Sequence, residues 1–213
     1  PRPGAAPPPP PAPDSGPAAP PPLTRGTAGP LLAGLEAAAD VYAAAGETGR
    51  AHEATLAAAR LRMAVERSFG SPGYPRHGPG GARDASTAFV LPPFQPEPLA
   101  GADEAWRASV REMLRPAGGL APGAGWRADG ISWTPQTTLY ALAAASSSDP
   151  EDRADAEDWL RWVDDHRTAS GAIPEKVLAD GSPAAVAPLS WSSALVVLAL
   201  VELDTHGTPG GAG

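Results

Sequence analysis

The sequence predicts an all-α protein, and three observations carry that expectation. Apolar residues recur at helical spacing in successive segments from Gly29 to Leu203, and no segment alternates with a period of two. Alanine supplies 45 of the 213 residues, about half of the apolar content, and side chains this small suit closely packed helices. All-apolar segments alternate with amphipathic ones, the arrangement of an inner ring of helices inside an outer ring.

Residues 1–28 are expected to be a disordered, proline-rich segment, because 1–22 hold twelve prolines and almost nothing that builds a core. A first helix follows, with Leu31, Leu32, Leu35, Ala39 and Tyr42 on a stripe and Gly46 closing it. Residues 50–69 place Ala54, Ala58, Leu61, Val65 and Phe69 on one face. Asp84 reads as the cap of a short apolar helix over 84–91, stopped by Pro92 and Pro93. Residues 103–114 are amphipathic, with Trp106, Val110 and Leu114 together. Residues 133–147 are apolar nearly all round, 151–168 are amphipathic around Trp159, Leu160, Trp162 and Val163, and 189–203 are apolar all round. Residues 205–213 read as a disordered glycine-rich tail.

The connections alternate as well. Short or middling ones separate three long loops, 70–83, 115–132 and 169–188, which together with the segment before the first helix should gather at one end of an antiparallel array. A TPR-like solenoid is the competing all-α architecture, but no fixed period of 34 to 47 residues is present.

Composition removes several chemistries. The net charge is −8, which disfavours a nucleic-acid partner, and no apolar run reaches the roughly 18 residues of a membrane span. There is no cysteine, hence no disulfide, thiolate nucleophile or Cys-bound zinc. His52, His77, His166 and His206 share no helix face, so no metal and no cofactor is expected. His77 is either a ligand contact or a solvated loop residue, and His166 suits a helix C-terminus. Neither a phosphate-binding glycine loop nor a Gly-x-Ser-x-Gly elbow is present.

Two features suggest a site. Glu175 lies in Ser170-Gly-Ala-Ile-Pro-Glu-Lys-Val, inside a long loop and next to Ile173, Pro174 and Val177. It reads either as a general base in an apolar setting or as a surface charge. Trp126 and Trp133 bracket Arg127 and Asp129, and Trp191 opens the last helix. Aromatic faces with charged side chains suit a sugar, which offers an apolar face and a rim of hydroxyls. Trp133 and Trp191 could equally pack where inner helices meet.

The block from Ser170 through Glu175, Asp180-Gly181 and Pro188-Leu-Ser-Trp191-Ser, followed by an apolar helix, resembles the C-terminal end of glycoside hydrolase family 15. Gly81-Ala-Arg-Asp84-Ala-Ser-Thr is similar to the segment that opens an inner helix in that family. Asp129-Gly130 and Trp133, leading into Leu139-Tyr-Ala-Leu142, resemble another such opening. The resemblance spans about 29–204. It implies part of an (α/α)6 toroid, with seven helices where a closed ring needs twelve. It further implies Glu175 as general base, Trp191 as a wall of the site, and an α-glucan or α-glucoside substrate cleaved with inversion. In such a reaction a second carboxyl, roughly 6.5–9.5 Å away, protonates the leaving oxygen. That acid should precede Gly29, where residues 1–35 hold no glutamate. An arginine is expected near Leu120 and Ala121; none is there, and Arg127 is the substitute. The expectation is therefore a chain that is inactive alone, supplying the base, whose partner is the half of the enzyme carrying the acid. The alternative is a non-catalytic remnant that binds glucan or protein. An open arc should expose apolar flanks around Leu31 and Leu195.

Overall fold

The computed structural model describes residues 24–78 and 80–207, and they are all-α apart from three two-residue strands. The proline-rich stretch 1–22 and the last residues of the tail lie outside the described residues. The chain divides into two compact units, Pro1–Arg107 and Ala108–Gly213.

In the first unit, α1 (Arg25–Ala44) packs along α2 (Thr48–Val65). The first helix starts at Arg25, not Gly29, with Arg25, Ala28, Gly29 and Leu32 buried. Gly46, just past its end, has φ +75°, a left-handed conformation that glycine enters without a Cβ penalty. Every residue of the expected α2 stripe is buried, from Ala54 to Phe69, the last lying in a single π turn, Glu66–Gly70. Asp84 caps as expected, accepting from the Ser86 N–H at 3.2 Å, but the helix it opens, Ala85–Val90, is 3₁₀. Asp84 does more than cap. Its Oδ1 meets Arg25 Nη2 and its Oδ2 meets Arg76 Nη1, both at 2.8 Å, while Ser86 Oγ donates to Oδ1. Two arginines on a buried carboxylate fasten loop 70–83 to the start of α1. A backbone bond from Arg25 N–H to Arg76 O and a bridge between Thr24 and His77 complete the junction. His77 therefore serves this seam.

Helix α3 (Ala102–Met113) crosses the boundary between the units. Its buried line is Ala102, Ala105, Trp106, Ser109 and Met113, so Leu114 falls off the stripe and is half-exposed.

In the second unit, α4 (Thr134–Ala145) is buried at all but one position and packs against both α5 (Pro150–Asp165) and α6 (Ser190–Gly207). That is the inner helix its apolar sequence calls for. The amphipathic α5 buries Ala156, Trp159 and Val163 and begins at Asp149, whose side chain accepts from the Glu151 N–H. Its end is held by His166, whose Nδ1 donates to Trp162 O at 2.7 Å. α6 keeps an apolar flank exposed, as an open arc should. Its sequence is apolar all round, yet only Ser192, Leu195 and Ala199 form a fully buried line, and Val197, Leu198, Leu200 and Val201 are more than half exposed. Leu195 itself is covered; Leu31 is exposed, as expected. The tail expectation also shortens, since α6 continues to Gly207.

Candidate active site

Two loops of the second unit supply three short strands: β1 (Ser132–Trp133) closes the first, and β2 (Lys176–Val177) and β3 (Pro183–Ala184) lie within the second. They form one antiparallel sheet in the order β1-β2-β3, with Trp133 opposite Lys176 and Ser132 opposite Val177. Period-two alternation has no room to show in two residues, which is why the sequence conceals them.

This sheet places Glu175. Its N–H donates to Val186 O at 2.8 Å and its carbonyl accepts from Thr134 N–H, the first residue of α4, at 3.0 Å. Ile173, Pro174 and Val177 are buried and anchor the strand from below. Thr134 Oγ1 donates to Pro174 O at 2.6 Å and lies 2.8 Å from Ser192 Oγ, in the first turn of α6. With the single threonine proton committed to the carbonyl, Ser192 is the donor in the second bond. Leu189 N–H closes the set on Ile173 O at 3.0 Å. The start of α4 thus holds the backbone of Glu175, and the start of α6 holds Thr134 and Ile173 on either side of it. Its side chain is 31% exposed: covered enough to be held, open enough to meet a solute.

Ala185 has φ +63°, a left-handed conformation unfavourable for a residue with a Cβ, immediately before the Val186 carbonyl that receives the Glu175 N–H. The strained residue turns the chain after β3 toward Glu175.

The aromatic candidates separate into two groups. Trp106 and Trp159 are core, and Trp162 lies under Gly118 and Gly119 with its Nε1 donating to Ala117 O. Trp126 and Trp191 are 43% and 50% exposed. Trp133 lies between these extremes: Trp126 packs edge-on against it at 5.8 Å, and the Lys176 ammonium sits 4.2 Å over its ring. Arg127 is exposed, and Asp129 uses Oδ1 to accept the Ile131 N–H at 3.1 Å, which makes it a turn former. Leu120 and Ala121, the place where the family pattern expects an arginine, are fully buried.

Lys176 was not singled out by the sequence, although it stands in the quoted motif. Its Nζ lies 3.8 Å from Glu175 Oε2. The Arg25–Asp84–Arg76 cluster of the first unit was missed as well. Only the cap at Asp84 was legible, because Arg25 is 59 residues away.

No protein-family model and no curated protein matches this sequence. Solved structures do. A glycosidase point variant in complex with glucose and the wild-type glycosidase each match over 88% of this chain, with a TM-score of 0.71 and 22% sequence identity. The match covers 53% of the glycosidase chain, so this chain spans about half its length. At that identity the likeness is one of fold: the chain folds as part of a glycosidase does.

Proposed function

We propose that this chain is the base-bearing part of an inverting α-glucosidic glycoside hydrolase of the family 15 type. Glu175 carries the reading: its carboxylate is partly exposed, its backbone is bonded to the start of α4, and its neighbour Ile173 is bonded to the start of α6, which opens with the exposed Trp191. In the proposed reaction a glucosyl unit lies against Trp191 and Trp126. Glu175 accepts a proton from a water that attacks the anomeric carbon opposite the leaving oxygen. The leaving oxygen takes its proton from a carboxylic acid on the part of the fold that this chain does not supply. Arg127 and Asp129 form the adjacent rim, and the glucose bound by the matched glycosidase is of the expected ligand class.

The isolated chain is expected to leave maltose, isomaltose, dextran and trehalose intact in a glucose-release assay. Glucose should nonetheless shift the indole N–H resonances of Trp126 and Trp191 and leave those of Trp106 and Trp159 in place. Turnover that Glu175→Gln abolishes would show that the chain carries its own acid.

A second reading is favoured by the exposed apolar residues of α6: a non-catalytic remnant that binds glucan or another protein. Maltooligosaccharide titration with sedimentation separates the two. Tight sugar binding by a folded monomer favours the remnant.

A further inference from the structure

Lys176 has no role in the reading above, yet it touches two residues of the candidate site. Its Nζ is 3.8 Å from Glu175 Oε2 and 4.2 Å from the centre of the Trp133 ring. Trp133 and Lys176 are paired across β1 and β2, so backbone register sets the lysine over the indole. Trp133 is in turn held by Trp126 edge-on at 5.8 Å. Lys176 is 29% exposed and Glu175 31% exposed, so the contact is partly withdrawn from water. Adjacent residues on an extended strand normally send their side chains to opposite faces, so proximity in sequence does not by itself create this pair.

A carboxylate that is to take a proton from one particular water must hold one oxygen toward it, and rotation about its last torsion is soft. An ammonium fixed at the other oxygen removes that freedom. We infer that Lys176 is a positioning residue for Glu175: seated on the indole face of Trp133, it binds Oε2 and leaves Oε1 to receive the proton. The inference rests on Glu175 being the base. It also changes the expected part of Trp133. The ring face that carries the ammonium is closed to a sugar, and stacking falls to Trp126 and Trp191.

The test uses the full chain labelled at its tryptophan indoles, with the Trp133 resonance assigned by its loss in Trp133→Phe. Without sugar, Glu175→Gln should move the Trp133 indole resonance when Lys176 is present and leave it in place in a Lys176→Met background. An unmoved resonance in the first case, or an equal movement in both, overturns the inference. With glucose as probe, Lys176→Met should weaken binding roughly threefold, the size expected of a partly exposed ion pair. Lys176→Arg should restore it, and Lys176→Met should add nothing to Glu175→Gln. Equal losses in both backgrounds would make Lys176 an independent sugar contact and also overturn the inference. Circular dichroism of each variant verifies folding, and Lys176→Gln replaces Lys176→Met if the latter does not fold. If glucose shifts no indole of the unaltered chain, the functional reading falls, and the bridge is judged by the sugar-free comparison.

Discussion

Asp84 illustrates what one residue reveals on its own and what it conceals. A short polar side chain ahead of an apolar run marks a helix cap, and the cap is there. That the same carboxylate binds a fully buried arginine from the first turn of α1 follows from no local pattern. Tyr74, in the same unit, has φ +55°, is fully buried, and donates its hydroxyl to Ala100 O at 3.0 Å. Burial pushes its pKa up to about 12, and the negative charge of Glu66 adds to the effect while Arg25 and Arg62 oppose it. Below about pH 10 the hydroxyl is protonated in both folded and unfolded chains. Between about 10 and 12 the unfolded chain ionises first, so stability present at lower pH is lost as pH rises. Urea unfolding across that window should show a loss of roughly 2–3 kcal/mol from this residue, absent in Tyr74→Phe. A wild-type slope retained in the variant would assign the loss elsewhere.

At the scale of elements, α2 and α4 were legible because the stripe expected in α2, Ala54 to Phe69, and nearly every position of α4 are buried, although Leu56 and Met63 of α2 stay exposed. α3 and α6 were not. In α3 the buried line runs through the small residues Ala102, Ala105 and Ser109, which contribute little to a hydrophobic pattern. In α6 the pattern is apolar on every side, and nothing local says which side is covered. The β1-β2-β3 sheet was invisible for want of length, although the loops that contribute to it were identified as the ones that gather. Beneath it, Gly119 lets the loop before β1 pass Trp162. A Cβ there would lie 2.6 Å from two ring atoms of Trp162 and 2.8 Å from Ser132 Cβ. Gly119→Ala is expected to cost about 1–3 kcal/mol through overpacking, read from the shift in urea midpoint. A neutral result would mean that Trp162 moves aside freely.

For the molecule as a whole, the relevant comparison is with a fold about twice as long. The exposed apolar residues of α6 are a consequence for solution behaviour. Val197 and Val201 are 59% and 56% exposed, so a double Val197→Lys, Val201→Lys variant should keep its stability within about 0.5 kcal/mol per site and self-associate less in sedimentation. A large fall in stability would mean that the isolated chain already covers this face.

The amino-acid sequence by itself determined that the chain is helical, where most helices run, where Asp84 and Gly46 cap them, and that Glu175 stands in a loop of unusual character. These depend on spacing and on the intrinsic geometry of a few residues, which act over one or two turns. Tertiary structure alone decided that Thr134 holds Glu175 while Ser192 holds Thr134, that Lys176 lies between the Glu175 carboxylate and Trp133, and which residues of α6 stay in water. Such contacts join residues up to 58 apart, and they depend on the path of the backbone between them, which no local periodicity encodes.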